Sequence, residues 1–178
     1  MSYFGNASIG FIDKEVTCDG DVHGYDTCDR QMINDTLNAI DEDKFNFLFV
    51  YLGNLDEVGH ESGFCDAEYS AEMTKIDKYV SEIISKLKDK GLFESTHIIL
   101  TTDHGASSHT KDHGTPDDQN ILIPWIVYGP GIKRGYEIEA RVNNLDTSPT
   151  ILALLGLQPH SSWVGRAVPG IFETAQEV

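Results

Sequence analysis

Apolar residues along the chain recur at two different periods, and the alternation between them predicts the elements. Met32, Ile33, Leu37 and Ile40 recur at helical spacing after a polar start, predicting a helix that Asp26 or Thr27 caps and that runs to about Asp41. "FNFLFVYLG" at 45–53 is almost wholly apolar and ends at Gly53-Asn54, as a strand covered on both faces does. Met73, Ile76, Val80, Ile83 and Leu87 return at steps of three and four, predicting a helix from Asp66 to about Lys90 with Gly91 as its stop. Two more apolar runs, "HIILTT" (97–102) and "ILIPWIVYG" (121–129), read as strands. Pro124 withholds a backbone donor and moves the second of these to an edge or a bulge. "NNLDTSPTILALLG" predicts a helix capped near Asp146, with Pro149 in its first turn and Gly156 after its end. "ASIGFID" (7–13) is a short strand candidate, and "KEVTCDGDVHGYD" a polar loop.

Strands that alternate with helices of this length specify an α/β fold, expected as a three-layer sandwich on a largely parallel central sheet. At 178 residues the chain is most simply a single domain, 1–178, with its core at about 45–168. In such folds ligands bind beyond the carboxyl ends of strands. That rule selects "NLDEVGH" after the first strong strand and "DHGASSHTKDHG" after the second, both rich in Asp and His.

A formal charge of −16 leaves no basic stripe, which argues against a nucleic-acid partner held through phosphates. No apolar run approaches the roughly 20 residues that span a bilayer. The start "MSYFGNASIGF" lacks the basic and apolar regions of a signal peptide, so a cytoplasmic location is the default expectation. Cys18, Cys28 and Cys65 form no CxxC pair; a Cys18–Cys28 disulfide is one option and reduced thiols are the default.

Asp56 and His60 stand four apart, so a helical turn or tight loop aims both at one point. Carboxylate oxygen and imidazole nitrogen are ligands for zinc, manganese or iron. Asp103 and His104 are adjacent at the next strand end, and His109 and His113 follow in a loop bounded by Gly105 and Gly114. Taken singly, each piece has an ordinary reading: a solvated turn, a capping aspartate, a loop histidine. His97 reads as a strand residue, and His23 and His160 as loop residues. Two Asp/His sets at successive strand ends are much more specific than either alone.

"YLGNLDEVGHESG", "TTDHGASSHTKDHG", "IPWIVYGPGIKRG" and "LDTSPTILALLGL", in that order, resemble the C-terminal half of the alkaline phosphatase superfamily. The nearest group is the type I phosphodiesterase/nucleotide pyrophosphatases with their sulfatase-like neighbours. Phosphopentomutases and cofactor-independent phosphoglycerate mutases share the order of metal ligands. The resemblance covers roughly residues 45–168. It implies a metal-dependent phosphoric- or sulfuric-ester hydrolase acting on a small ester substrate with two divalent ions, zinc or manganese. One ion would take Asp56, His60 and a late histidine, matched by His113 with His109 as the alternative. The other would take Asp103 and His104.

The pattern also departs from the family. The resemblance implies a further N-terminal aspartate and a Ser or Thr nucleophile, and residues 1–44 hold no match; Asp13 is a superficial candidate in the wrong place. The expectation is therefore a fragment lacking the nucleophile segment, with at most one complete metal site and weak or no activity alone. Missing strands would expose a sheet edge, which dimerisation or residues 1–25 would cover. A catalytically silent metal-binding member is the alternative. A two-His-one-carboxylate iron oxygenase ranks below both. Glu61 and Lys111 are secondary candidates, beside the ligands and toward an anionic substrate respectively, and "GPGIKRG" reads as a structural turn.

Overall fold

A computed structural model describes residues 25–43 and 45–173. The expected strand at 7–13, Asp13, His23 and the Cys18–Cys28 pairing lie outside what is described; Cys65 is a free, exposed thiol. The described residues form two compact units. One comprises those up to Phe93 with Ala106–Ile121, the other Glu94–Gly105 with those from Leu122 onward.

The first unit is helical. Helix α1 (Tyr25–Glu42), α2 (Asn54–Ser62) and α3 (Ala67–Asp89) pack on one another. On α1 the fully buried stripe is Asp29, Ile33, Thr36 and Ile40, spaced 4-3-4. Half of that stripe is polar, which is why Met32 and Leu37 flank it rather than lead it. On α3 the buried residues are Glu72, Tyr79 and Leu87, while Met73 of the expected apolar face is 46% exposed. Arg30 joins the two helices, bonding Glu82 at 2.9 Å and lying over the Tyr79 ring, and Lys86 reaches Asp41 at 2.7 Å. Gly91, at φ +70°, ends the helix region as predicted.

Residues 45–53 do not form the expected two-sided strand. No ladder partner pairs them among the described residues, and Phe49 and Tyr51 are 72% and 61% exposed. An apolar run states only that burial is favourable, whereas a strand also requires a partner in register.

The second unit holds strands β1 (Ile98–Thr101) and β2 (Trp125–Tyr128) and helix α5 (Asn144–Leu154). The two strands pair antiparallel, Ile98 opposite Tyr128 and Thr101 opposite Trp125, so the join between them is not the parallel one expected. Pro124 immediately precedes β2 and costs the ladder no donor. Leu100 and Ile126 face each other across the pair and both are exposed, so these strands are not the fully buried ones predicted. Behind them Ile132, Val168 and Ile171 form a core with Trp125, Val127 and Leu154 packed against it.

Helix α5 begins earlier than Asp146. Asn143 is its N-cap and Asp146 closes a capping box with it, which puts Pro149 in the second turn rather than the first. Proline there leaves the Leu145 carbonyl without a helical donor, and Gly165 lies so close to that carbonyl that a Cβ would overlap it. The "GPGIKRG" segment is a turn as expected: Gly129, Gly131 and Gly135 all have positive φ, and a Cβ on Gly129 would meet His97. Among the described residues no helix is long and apolar enough to cross a membrane.

Candidate metal centre

Helix α2 carries the centre, and its start is held from outside. Gly53 at the N-cap offers no side chain, and the buried Asp29 carboxylate of α1 accepts from Gly53 N (3.0 Å) and Asn54 N (3.2 Å). A carboxylate at that end satisfies orphan donors and suits the helix dipole. Asp56 and His60 then follow one turn apart on one face.

Gly63, at φ +118°, turns the chain sharply after α2 and brings Phe64 back beneath it. Phe64 is buried and meets the His60 ring edge-on, centroids 5.4 Å apart, with His113 at 6.0 Å. Gly59 makes room for this: a Cβ there would overlap the Phe64 ring. Phe64 also receives the loop that follows Ala106, its N–H donating to the Thr110 carbonyl at 2.8 Å and its carbonyl accepting from His109 N at 2.7 Å.

That loop delivers His113. Its Nε2 stands 3.1 Å from His60 Nε2 and 3.6 Å from Asp56 Oδ1, and His60 Nε2 is 3.4 Å from Asp56 Oδ2. The three side chains are 26–37% exposed. His60 Nδ1 lies 2.8 Å from the Lys111 carbonyl, which can only accept. The proton is therefore on Nδ1, and the Nε2 lone pair faces His113 and Asp56. The same bond is the largest cause of a raised His60 pKa, partly offset by desolvation and reinforced by the Asp56 charge.

This donor set suits a small divalent cation. Ligand atoms around a tetrahedral ion at the usual zinc–nitrogen distance are separated by about 3.3 Å, close to the spacings observed. Two imidazole nitrogens and a carboxylate are also the donor types such ions take.

The sequence preferred His113 as the late histidine and kept His109 as the alternative. His109 is turned away: its Nδ1 bonds Asp66 Oδ1 at 2.6 Å, its backbone is at φ +60°, and its side chain is 74% exposed. Lys111 is occupied by helix α2, its ammonium donating to the Glu61 carbonyl at 2.5 Å, and the Glu61 side chain is exposed. Asp103 and His104 lie in the second unit at the carboxyl end of β1. Asp103 Oδ1 accepts from His104 N (3.1 Å) and Thr102 Oγ1 (3.2 Å), and His104 Nδ1 donates to the Gly105 carbonyl (3.0 Å). The His104 Nε2 is 3.7 Å from Asp103 Oδ2. His97 donates to the Pro130 carbonyl and His160 bonds Ser162, as structural histidines do.

Sequence reading missed Asp29, Gly59 and Phe64. Asp29 sits in a helix where a carboxylate reads as solvent-facing, and Phe64 follows the motif as an isolated aromatic. The signal for Gly59 was present, since a glycine inside a helix flanked by two ligands asks for a steric reason.

A profile of the family described as Type I phosphodiesterase / nucleotide pyrophosphatase matches residues 8–127. A phosphopentomutase of Clostridium kluyveri is 31% identical over 135 residues, 75% of this chain and 32% of that protein. A 2,3-bisphosphoglycerate-independent phosphoglycerate mutase of the same organism is 26% identical over 143 residues, 78% of this chain and 26% of that one. Arylsulfatase K of Danio rerio is 31% identical over 94 residues, 51% of this chain and 18% of its own. Among solved structures, that of Ps i-CgsB superimposes with a TM-score of 0.60 at 18% identity, covering 80% of this chain and 37% of that chain, a likeness of fold alone. The chain thus spans about a third or less of the length of these curated relatives.

Proposed function

The chain belongs to the type I phosphodiesterase / nucleotide pyrophosphatase family of the alkaline phosphatase superfamily, and on that premise we propose that it serves phosphoric- or sulfuric-ester hydrolysis through a divalent ion at Asp56, His60 and His113. The observation that carries the reading is the convergence of two Nε2 atoms 3.1 Å apart on one carboxylate. When bound, such an ion supplies Lewis-acid stabilisation of charge on the ester oxygens. The chain's own part is orientation. Lys111 fixes the His60 tautomer, Phe64 supports both imidazoles from behind, and Asp56 contributes the negative charge.

Asp103 and His104 are the proposed half of a second site, for which the family's further ligands have no match in this sequence. No nucleophile is assigned to the chain, so turnover by it alone is expected to be weak. A single α/β domain of the three-layer type belongs to the same proposal and rests on the family membership. Family membership sets the iron-oxygenase reading aside. Zinc or manganese is the proposed ion and a small phosphate or sulfate ester the proposed substrate.

The test is hydrolysis of a nitrophenyl phosphodiester with added Zn2+ or Mn2+. Slow turnover that His60→Ala abolishes supports the reading. Turnover unchanged in His60→Ala, or metal binding with no turnover at all, counts against hydrolysis by this chain.

A further inference from the structure

We infer that Asn120 is the positioning residue that holds His113 in the metal centre, an inference that rests on the metal reading above. Asn120 is 3% exposed, although its neighbours Asp117, Asp118, Gln119 and Ile121 are all exposed. Burying a primary amide is unfavourable unless each of its donors and acceptors is paired. Here they are. The carbonyl Oδ1 accepts from Gly114 N at 2.9 Å. The amide Nδ2 is 2.8 Å from Ser107 Oγ, 3.1 Å from Thr115 Oγ1 and 2.9 Å from both Asp117 oxygens.

Those partners define what the residue does. Ser107 opens the histidine-bearing loop, Gly114 and Thr115 follow His113 directly, and Asp117 caps the short helix α4 (Asp118–Ile121). A single side chain therefore closes the base of a loop whose far part carries Lys111 and His113. The backbone on both sides of His113 is tied by side chains: Asp112 Oδ1 accepts from His113 N at 2.9 Å, and Asn120 Oδ1 from Gly114 N. Gly114 has φ +98° with open space where a Cβ would stand, so this peptide has the widest conformational choice in the segment. The Asn120 bond joins the Asp112 bond in fixing this backbone, and without it the His113 ring would lose part of its fixed approach to His60 and Asp56. Residues that orient a ligand in this indirect way are worth about 10- to 100-fold in metal affinity.

The experiment is Zn2+ titration of the full chain, read by calorimetry and by the shift in thermal midpoint at saturating Zn2+, for wild type, Asn120→Ala, His113→Ala and the double variant. Asn120→Ala is expected to bind about 10- to 100-fold more weakly than wild type. Added to His113→Ala it is expected to cause no further loss, because it acts through that ring. An additive loss in the double variant marks Asn120 as a merely structural residue and overturns the inference. Wild-type affinity in Asn120→Ala, with His113→Ala weakened, overturns it while sparing the metal reading. If wild type binds no Zn2+, both are overturned. Should Asn120→Ala fail to fold without metal, the exchange Asn120→Asp with Asp117→Asn reverses the direction of the amide–carboxylate bond while keeping an acceptor for Gly114 N. It is expected to recover binding to within a few-fold of wild type, and a loss as large as that of His113→Ala would contradict the assignment.

Discussion

His60 Nε2 and His113 Nε2 face each other at 3.1 Å, although they stand fifty-three positions apart in the chain. Two imidazoles present these atoms to one another only when something fixes both rings. For His60 it is the Lys111 carbonyl on Nδ1, and for the pair together it is the Phe64 ring beneath. The loop therefore supplies both the second imidazole and the group that sets the tautomer of the first.

This arrangement gives the centre a pH dependence whose sign differs with and without metal. The His60 pKa is raised above 6.5 by the Lys111 bond first, with Asp56 adding to it against desolvation. The folded chain then holds the proton more tightly than the unfolded one. In the absence of metal, His60 contributes stability that is complete below the unfolded value and is lost as pH rises through the elevated one. The titrating proton sits on Nε2, where a cation would compete for it, so Zn2+ affinity should rise as pH climbs through that elevated value. Titrations across that value check this, and His60→Gln should flatten the slope.

Gly59→Ala provides a steric test. In an exposed helix interior this change is stabilising by about 0.5–1 kcal/mol. Here the new Cβ overlaps the buried Phe64 ring, so the expected result is a loss of about 1–3 kcal/mol as the ring is displaced. Chemical unfolding measures it, and a gain in stability would show that Phe64 has room to move.

The loop has its own acid limit. The Asp117 carboxylate is held down to about 2, first by the Thr115 hydroxyl and then by Asn120. A depressed carboxylate pKa contributes stability above the unfolded value of 3.8 that is lost as pH falls towards about 2. The difference in thermal midpoint between wild type and Asp117→Asn should thus be constant at neutral pH and shrink through that window. A difference that persists below it would assign the effect to shape rather than charge.

Much of the helical framework was legible: α1 and α3 fall where the apolar spacing predicts, and α5 where capping and Gly signals place it, though it starts earlier than they indicate. Their inward faces were less legible. Asp29 and Thr36 on α1 and Glu72 on α3 are polar residues whose burial is decided by tertiary partners, which a hydrophobic pattern does not encode. Residues 45–53 and the antiparallel β1–β2 pair failed for a related reason, since pairing depends on a second segment and its register. In the centre, the Asp56–His60 spacing was readable as a helical turn. His113 was the preferred late histidine and His109 the alternative; the Asp66 contact that turns His109 outward was not readable, because it depends on tertiary placement.

The central claim is tested most directly by the Zn2+ dissociation constant of three single variants beside wild type: His60→Ala, His113→Ala and His109→Ala. Stoichiometric binding that is weakened at least about 10-fold in the first two and unchanged in the third is the predicted result. No binding by wild type, or an equal loss in His109→Ala and His113→Ala, would contradict it.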